Sequence, residues 1–140
     1  MEKPLVSIIT PSFNSAKFIA ETIQSVQNQT YQHWEMIIVD DCSSDETVSI
    51  IQEIANKDSR IQLIKLEKNS GTGIARSTAL EKATGKFIAF LDADDLWKPK
   101  KLDKQIDFMK ANNLPFTFSF YDCINEAGQP LNRRIEAPLH

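Results

Sequence analysis

Short apolar runs alternate with longer amphipathic stretches along this chain, and the alternation predicts a series of βαβ units. Residues 6–10 (VSIIT) read as a first strand ended by Pro11, after which Asn14 or Ser15 can cap a helix with Ile19, Ile23 and Val26 on its apolar face. A second strand, 35–40, runs through Met36, Ile37, Ile38 and Val39 into Asp40 and Asp41. The SSDE run at 43–46 has the form of a capping box and opens a helix that turns Val48, Ile51, Ile54 and Ala55 inward. Residues 61–66 are a third strand, and a helix over 72–83 follows, with Gly85 suited to the left-handed position beyond its end. A fourth strand covers 86–91, and a helix over 99–112 carries Leu102, Ile106 and Met109 on one side until Pro115 blocks it. The apolar run at 116–121 and a hairpin or irregular loop over 123–134, around Gly128 and Pro130, complete the pattern. Strands that are near-continuously apolar and separated by helices imply a Rossmann-like, doubly wound α/β fold, a mostly parallel sheet with helices on both faces and one domain over 1–140. Residues 135–140 finish no element and read like a chain cut before its next unit.

The fourth strand carries the chemistry. The run IAFLDADDLW at 88–97 stops abruptly at Asp92, Asp94 and Asp95. A strand rich in Ile, Phe and Leu is expected to be buried, so these carboxylates emerge together at its C-terminal end, where open α/β sheets place ligands. Carboxylates this close repel one another, and a hard cation such as Mg²⁺ or Mn²⁺ relieves the repulsion while binding phosphate oxygens. The implied chemistry is metal-assisted handling of a diphosphate.

Three other loops, 10–14, 40–44 and 69–76, follow parallel strands at the same edge and should share the crevice. Asp41 can accept hydrogen bonds from a base or ribose, while Thr10 and Ser12 offer hydroxyls and backbone to a flat ring. Asp40, closer to the sheet, is better suited to a structural acidic turn at a helix N-terminus. Arg76, near the start of its helix, can reach a carboxylate or a diphosphate.

Composition narrows the classes. With 140 residues, 41% hydrophobic and 25% charged, the chain is sized for one domain with a real core. A net charge of −3 argues against a nucleic-acid partner, since no broad basic face is available. The local cluster Lys98, Lys100, Lys101 and Lys104 reads either as a solvated helix face or as a patch for phosphate or anionic lipid. The apolar stretch 5–9 is too short for a signal-peptide core or a membrane span, so no transmembrane segment and a cytoplasmic location are expected. Cys42 and Cys123 lie far apart without a CxxC pattern, which leaves buried or half-buried thiols as the default.

Two decoys fail on physics. Gly71, Thr72 and Gly73 imitate a dinucleotide fingerprint, but bulky Arg76 replaces the glycine that lets helix and strand approach. A calcium loop counted from Asp92 places Trp97 where glycine is required.

The segments VSIITPSFN, IIVDDCSSDET, NSGTGIARSTAL and TGKFIAFLDADDLW, in this order, resemble the N-terminal nucleotide-sugar-binding half of a family 2 glycosyltransferase with the GT-A fold, over about 5–99. The resemblance implies an inverting transfer of a sugar from a nucleoside-diphosphate donor, usually a UDP-sugar, with Mn²⁺ or Mg²⁺, to the hydroxyl of a glycan or lipid-linked acceptor. It implies that Thr10, Pro11 and Ser12 line the base pocket and that Asp41 hydrogen-bonds the base. Asn69, Gly71 and Arg76 then border the nucleotide, Asp92 and Ala93 lie against ribose and phosphate, and Asp94, with Asp92 beside it, holds the metal. A place in cell-envelope polysaccharide synthesis, peripheral to the inner face of the membrane, goes with this reading, and a homodimer is open. Ser77 stands where many relatives have asparagine, and the general base of inverting relatives is expected beyond His140. The alternative is a nucleotide-sugar-binding module without turnover.

Overall fold

Val6–Ser12 forms β1, and all seven of its residues are buried. The computed structural model describes residues 3–113, 121–124 and 130–135, with side chains described through 113. The chain divides into two compact units, Met1–Lys100 and Lys101–His140.

In the first unit β1 is followed by α1 (Ile19–Gln27), β2 (Trp34–Asp40), α2 (Thr47–Lys57), β3 (Ile61–Lys65), α3 (Thr72–Lys82) and β4 (Phe87–Phe90). The strands pair in the order β3-β2-β1-β4, all parallel, with Val6 opposite both Trp34 and Phe87. The order steps outward from β1 to β3 and then jumps back across to β4. Right-handed crossovers therefore put α1 and α2 on one face and α3 on the other. Ala75 and Ala79 of α3 pack on Ile9, Ile37 and Val39, and such small side chains let the helix lie close to the sheet. The doubly wound architecture expected from the sequence is thus present, and the direction of winding reverses between β1 and β4.

The structure corrects several local expectations. β1 does not stop at Pro11 but runs to Ser12. Ile9 O accepts from Leu91 N while Ser12 O donates nothing and accepts from Asp41 N, so alternation turns Pro11 toward the β4 side, beyond the last β4 pair at Phe90. There its missing N–H leaves no ladder bond unmade. Neither Asn14 nor Ser15 caps α1: Asn14 Oδ1 accepts from Ser44 N at 2.8 Å, and Ser15 Oγ donates to Phe13 O at 3.1 Å. The capping box at 43–46 is also absent, because Ser43 Oγ donates to Asp40 Oδ1 at 2.6 Å and Asp45 Oδ1 instead accepts from Thr47 N at 3.0 Å. Gly85 is not a left-handed helix end. A Cβ there would lie 2.7 Å from Ser7 N and 2.8 Å from Leu5 O, so glycine is required by close approach to β1.

Nor is the fourth strand buried on both faces. Among the described residues β4 pairs only with β1, and Ile88 and Phe90 are 42% and 56% exposed on the α3 face. An edge strand keeps its apolar character without the cover that central strands receive. Cys42, expected to be at least half-buried, is exposed in a left-handed turn at φ 65°.

In the second unit α4 (Lys101–Asn112) buries Leu102 and Ile106 and half-buries Met109. β5 (Tyr121–Ile124) and β6 (Pro130–Ile135) pair antiparallel, with an irregularity between Asp122 and Ile124, which matches the hairpin reading of 123–134. Pro115 and most of the apolar run 116–121 lie outside the described residues, as do 136–140.

Candidate functional site

Strand order reverses between β1 and β4, and ligands of open α/β sheets bind at the carboxyl ends of strands at such a point. A groove of about 460 Å³ opens there. Pro11, Ser12 and Phe13 from the end of β1, Asp41 from the end of β2, Thr72 and Arg76 from the start of α3, and Asp92, Ala93 and Asp94 after β4 line it.

The two acids at the end of β2 are divided in role, as their distance from the sheet suggests. Asp40 is 1% exposed, and its carboxylate accepts from Ser12 Oγ at 2.8 Å, Ser43 N at 2.9 Å and Ser43 Oγ at 2.6 Å. It is a strut between the loops after β1 and β2. Asp41 lines the groove and holds the loop before α3: Oδ1 accepts from Ser70 N at 2.6 Å and Oδ2 from Gly71 N at 2.9 Å. Gly71 sits at φ 95°, a conformation that side chains oppose, and delivers the chain into α3. Each Asp41 oxygen keeps a lone pair for a ligand donor.

Across the groove Arg76 Nη2 donates to Asp92 Oδ1 at 3.0 Å. Arg76 Nε is buried without a hydrogen-bond partner among the described residues, while the side chain as a whole is 41% exposed on the groove wall. Asp94 is exposed at the groove. Next to it Asp95 is pushed above the usual carboxylate range, first by desolvation of its carboxyl, although the residue as a whole is exposed, and then by the charges of Asp94 and Asp92. The acidic cluster thus behaves as a site of concentrated negative charge facing an arginine and a helix N-terminus.

Of the residues singled out from the sequence, Pro11, Ser12, Asp41, Arg76, Asp92, Ala93 and Asp94 come together in this groove. Thr10 and Asn69 are not among the lining residues; Thr10 is buried in β1, its Oγ1 without a hydrogen-bond partner among the described residues, and Asn69 is exposed. Gly71 is not a lining residue either; its N–H is tied to Asp41. The loops 10–14 and 69–76, expected at this crevice, bring Phe13, Asn14, Thr72 and Ala75 to it, although none of the four was singled out by residue; Ser15 and Phe18 were missed. Phe13, directly after the buried strand, is 48% exposed.

The sequence model of Glycosyl transferase family 2 matches residues 7–138. A Bacillus subtilis (strain 168) protein named for teichuronic acid biosynthesis, the glycosyltransferase TuaG, is 50% identical over 136 residues, covering 97% of this chain and 54% of its own. The Escherichia coli UDP-Glc:alpha-D-GlcNAc-diphosphoundecaprenol beta-1,3-glucosyltransferase WfgD is 47% identical over 125 residues, covering 89% and 49%. This chain therefore spans about half the length of the relatives it matches. S. aureus TarS in complex with UDP superposes with a TM-score of 0.72 at 35% identity, covering 77% of this chain and 32% of that one. The mannosyltransferase PcManGT from Pyrobaculum calidifontis, in complex with GDP-Man and Mn²⁺, gives 0.73 at 28% identity, covering 88% and 36%. The fold is of the GT-A type, and the chain belongs to glycosyl transferase family 2.

Proposed function

We propose that this chain is the donor-binding part of an inverting glycosyltransferase that takes a sugar from a UDP-sugar, with a divalent cation, and delivers it to a hydroxyl of a glycan or lipid-linked acceptor. The observation that carries the reading is the meeting of Asp41, Arg76, Asp92 and Asp94, from three separate segments, in one groove at the point where the sheet reverses. The UDP complex of TarS and the lipid-linked acceptor in the name of WfgD support the substrate classes.

Pro11, Ser12 and Asp41 are the groove's nearest offer to a base ring: a flat backbone edge and a carboxylate with spare lone pairs. Arg76 and the amino end of α3 supply positive potential for a diphosphate. Asp92 and Ala93 would lie against ribose and phosphate, and Asp94, with Asp92, would hold the cation. Among the described residues no group of three or more His, Cys, Asp or Glu side chains is arranged to hold a metal. Two carboxylates on an open groove nevertheless fit Mg²⁺ or Mn²⁺, which commonly complete their shells with phosphate oxygens and water. When bound, such a cation neutralises charge growing on the departing diphosphate. Transfer also needs a base for the acceptor hydroxyl, a role we give to none of the groove residues.

Among the described residues no helix is long and apolar enough to cross a membrane. The test is UDP release from a UDP-sugar in the presence of Mn²⁺, measured with and without a polyprenyl-diphosphate-linked sugar as acceptor, alongside UDP, GDP and CDP titrations. The reading predicts UDP preference, and release raised by the acceptor wherever a base for the acceptor hydroxyl is supplied. Binding without any release would make this chain a donor-binding module, and absence of nucleotide binding would overturn the proposal.

A further inference from the structure

The acidic loop is held by one side of α1 and by the turn that follows the helix, through hydrogen bonds that follow chain order. Thr22 Oγ1 donates to Ala93 O at 3.0 Å, and Trp97 N donates to Ser25 Oγ at 3.2 Å. Gln29 Nε2 donates to Lys98 O at 2.8 Å, and Thr30 N donates to Pro99 O at 2.8 Å. Thr22 and Ser25 lie three residues apart on one side of α1, beside the apolar stripe of Ile19, Ile23 and Val26, and Gln29 follows just past the end of the helix. Thr22 is 0% and Gln29 2% exposed, and polar side chains so deeply placed destabilise a fold unless their partners are supplied. Here the partners are the backbone of the segment that carries Asp92, Asp94 and Asp95.

Ala93 O belongs to the peptide leading into Asp94. That peptide is planar, so fixing its carbonyl fixes the N and Cα of Asp94 and narrows the directions open to its side chain. Asp92 is tied separately, by Arg76, and Asp95 N donates to Asp92 O at 3.1 Å. Asp94 has no such restraint of its own among the hydrogen bonds just described, and its orientation depends on the peptide before it. We propose that Thr22, supported by Ser25 and Gln29, is a positioning residue that holds Asp94 in the orientation needed to bind the donor's divalent cation. The inference rests on the donor-site reading above. It identifies a residue on α1, remote in sequence from every groove carboxylate, as a determinant of metal affinity.

The experiment compares the parent chain with Thr22→Val, Thr22→Ser and Ser25→Ala, measuring UDP affinity in Mn²⁺ and in EDTA by calorimetry and Mn²⁺ affinity by electron paramagnetic resonance. Thr22→Val keeps the shape and removes the donor. It is expected to weaken Mn²⁺-dependent binding about tenfold while UDP affinity in EDTA stays within about twofold. Thr22→Ser restores binding, and Ser25→Ala, acting on Trp97 beyond Asp94, has the same sign and a smaller size. A full Mn²⁺ gain in Thr22→Val, or an equal loss in Mn²⁺ and EDTA, overturns the positioning role. Should Thr22→Val fail to fold, the same division between Mn²⁺ and EDTA in Ser25→Ala decides the matter. A parent chain with no Mn²⁺ gain overturns the donor-site reading and this inference with it, whereas a parent gain retained in both variants removes the inference alone.

Discussion

Arg76 Nη2 lies 3.0 Å from Asp92 Oδ1 and so joins the amino end of α3 to the loop after β4. The two side chains are 41% and 47% exposed, so water screens the pair and it adds little to stability. Its position on the groove wall suits a diphosphate better than it suits a structural clamp. Arg76→Ala is expected to shift unfolding free energy by no more than about 1 kcal/mol, while UDP affinity falls by about tenfold or more through loss of charge-assisted hydrogen bonds. Chemical denaturation and nucleotide titration check the two halves, and the loss in affinity should shrink as ionic strength rises.

Asp58 makes a different kind of pair, away from the groove. Its carboxylate accepts from Arg60 Nε at 3.0 Å and Nη2 at 2.9 Å, and Arg60 stacks over the Trp34 ring at 3.8 Å. The Arg60 hydrogen bonds hold the Asp58 carboxyl down at about 2, against partial burial, which pushes the other way. A depressed folded-state value means stability that is fully present above about pH 4 and is lost as pH falls through about 2. Allowing for the 33% exposure of Arg60, the contribution is about 1–2 kcal/mol. Asp58→Asn should lower stability at neutral pH by that amount and converge with the parent near pH 2, as followed by urea unfolding across pH.

Two glycines predict opposite signs. Gly85→Ala would set a Cβ 2.7 Å from Ser7 N in the central strand and 2.8 Å from Leu5 O just before it, backbone atoms that cannot turn aside. A loss of about 1–3 kcal/mol or more is expected. Gly73 in α3 has nothing within 4 Å of its added Cβ, so Gly73→Ala should stabilise by about 0.4–1 kcal/mol through reduced freedom of the unfolded chain. Equilibrium urea unfolding of both variants tests the contrast.

The strands and helices of the first unit were legible because each apolar run has the length and period of its element, and the site was legible because acids stand just past those runs. Asp40 and Asp41 could be told apart by distance from the sheet alone. What the sequence did not disclose depends on partners distant along the chain. Ser43 and Asn14 have the chemistry of helix caps, yet long-range loop contacts claim them: Asn14 N donates to Ser43 Oγ at 2.9 Å. Gly85 resembles a helix stop until the nearness of Ser7 is known. The exposed face of Ile88 and Phe90 could not be read from composition, because edge and centre strands differ in neighbours and not in apolar content. The row formed by Thr22 and Ser25 on α1 and Gln29 just past its end was invisible for the same reason.

The central claim is that the groove carboxylates hold a cation that grips a diphosphate. It is tested most directly by titrating UDP into the parent chain and Asp94→Ala, each in Mn²⁺ and in EDTA, with a thermal melt of both proteins. The account predicts a large Mn²⁺-dependent gain in the parent, loss of most of it in Asp94→Ala, and little change in melting temperature, since the substitution relieves clustered like charge. An Asp94→Ala chain that binds UDP in Mn²⁺ as tightly as the parent does would contradict it.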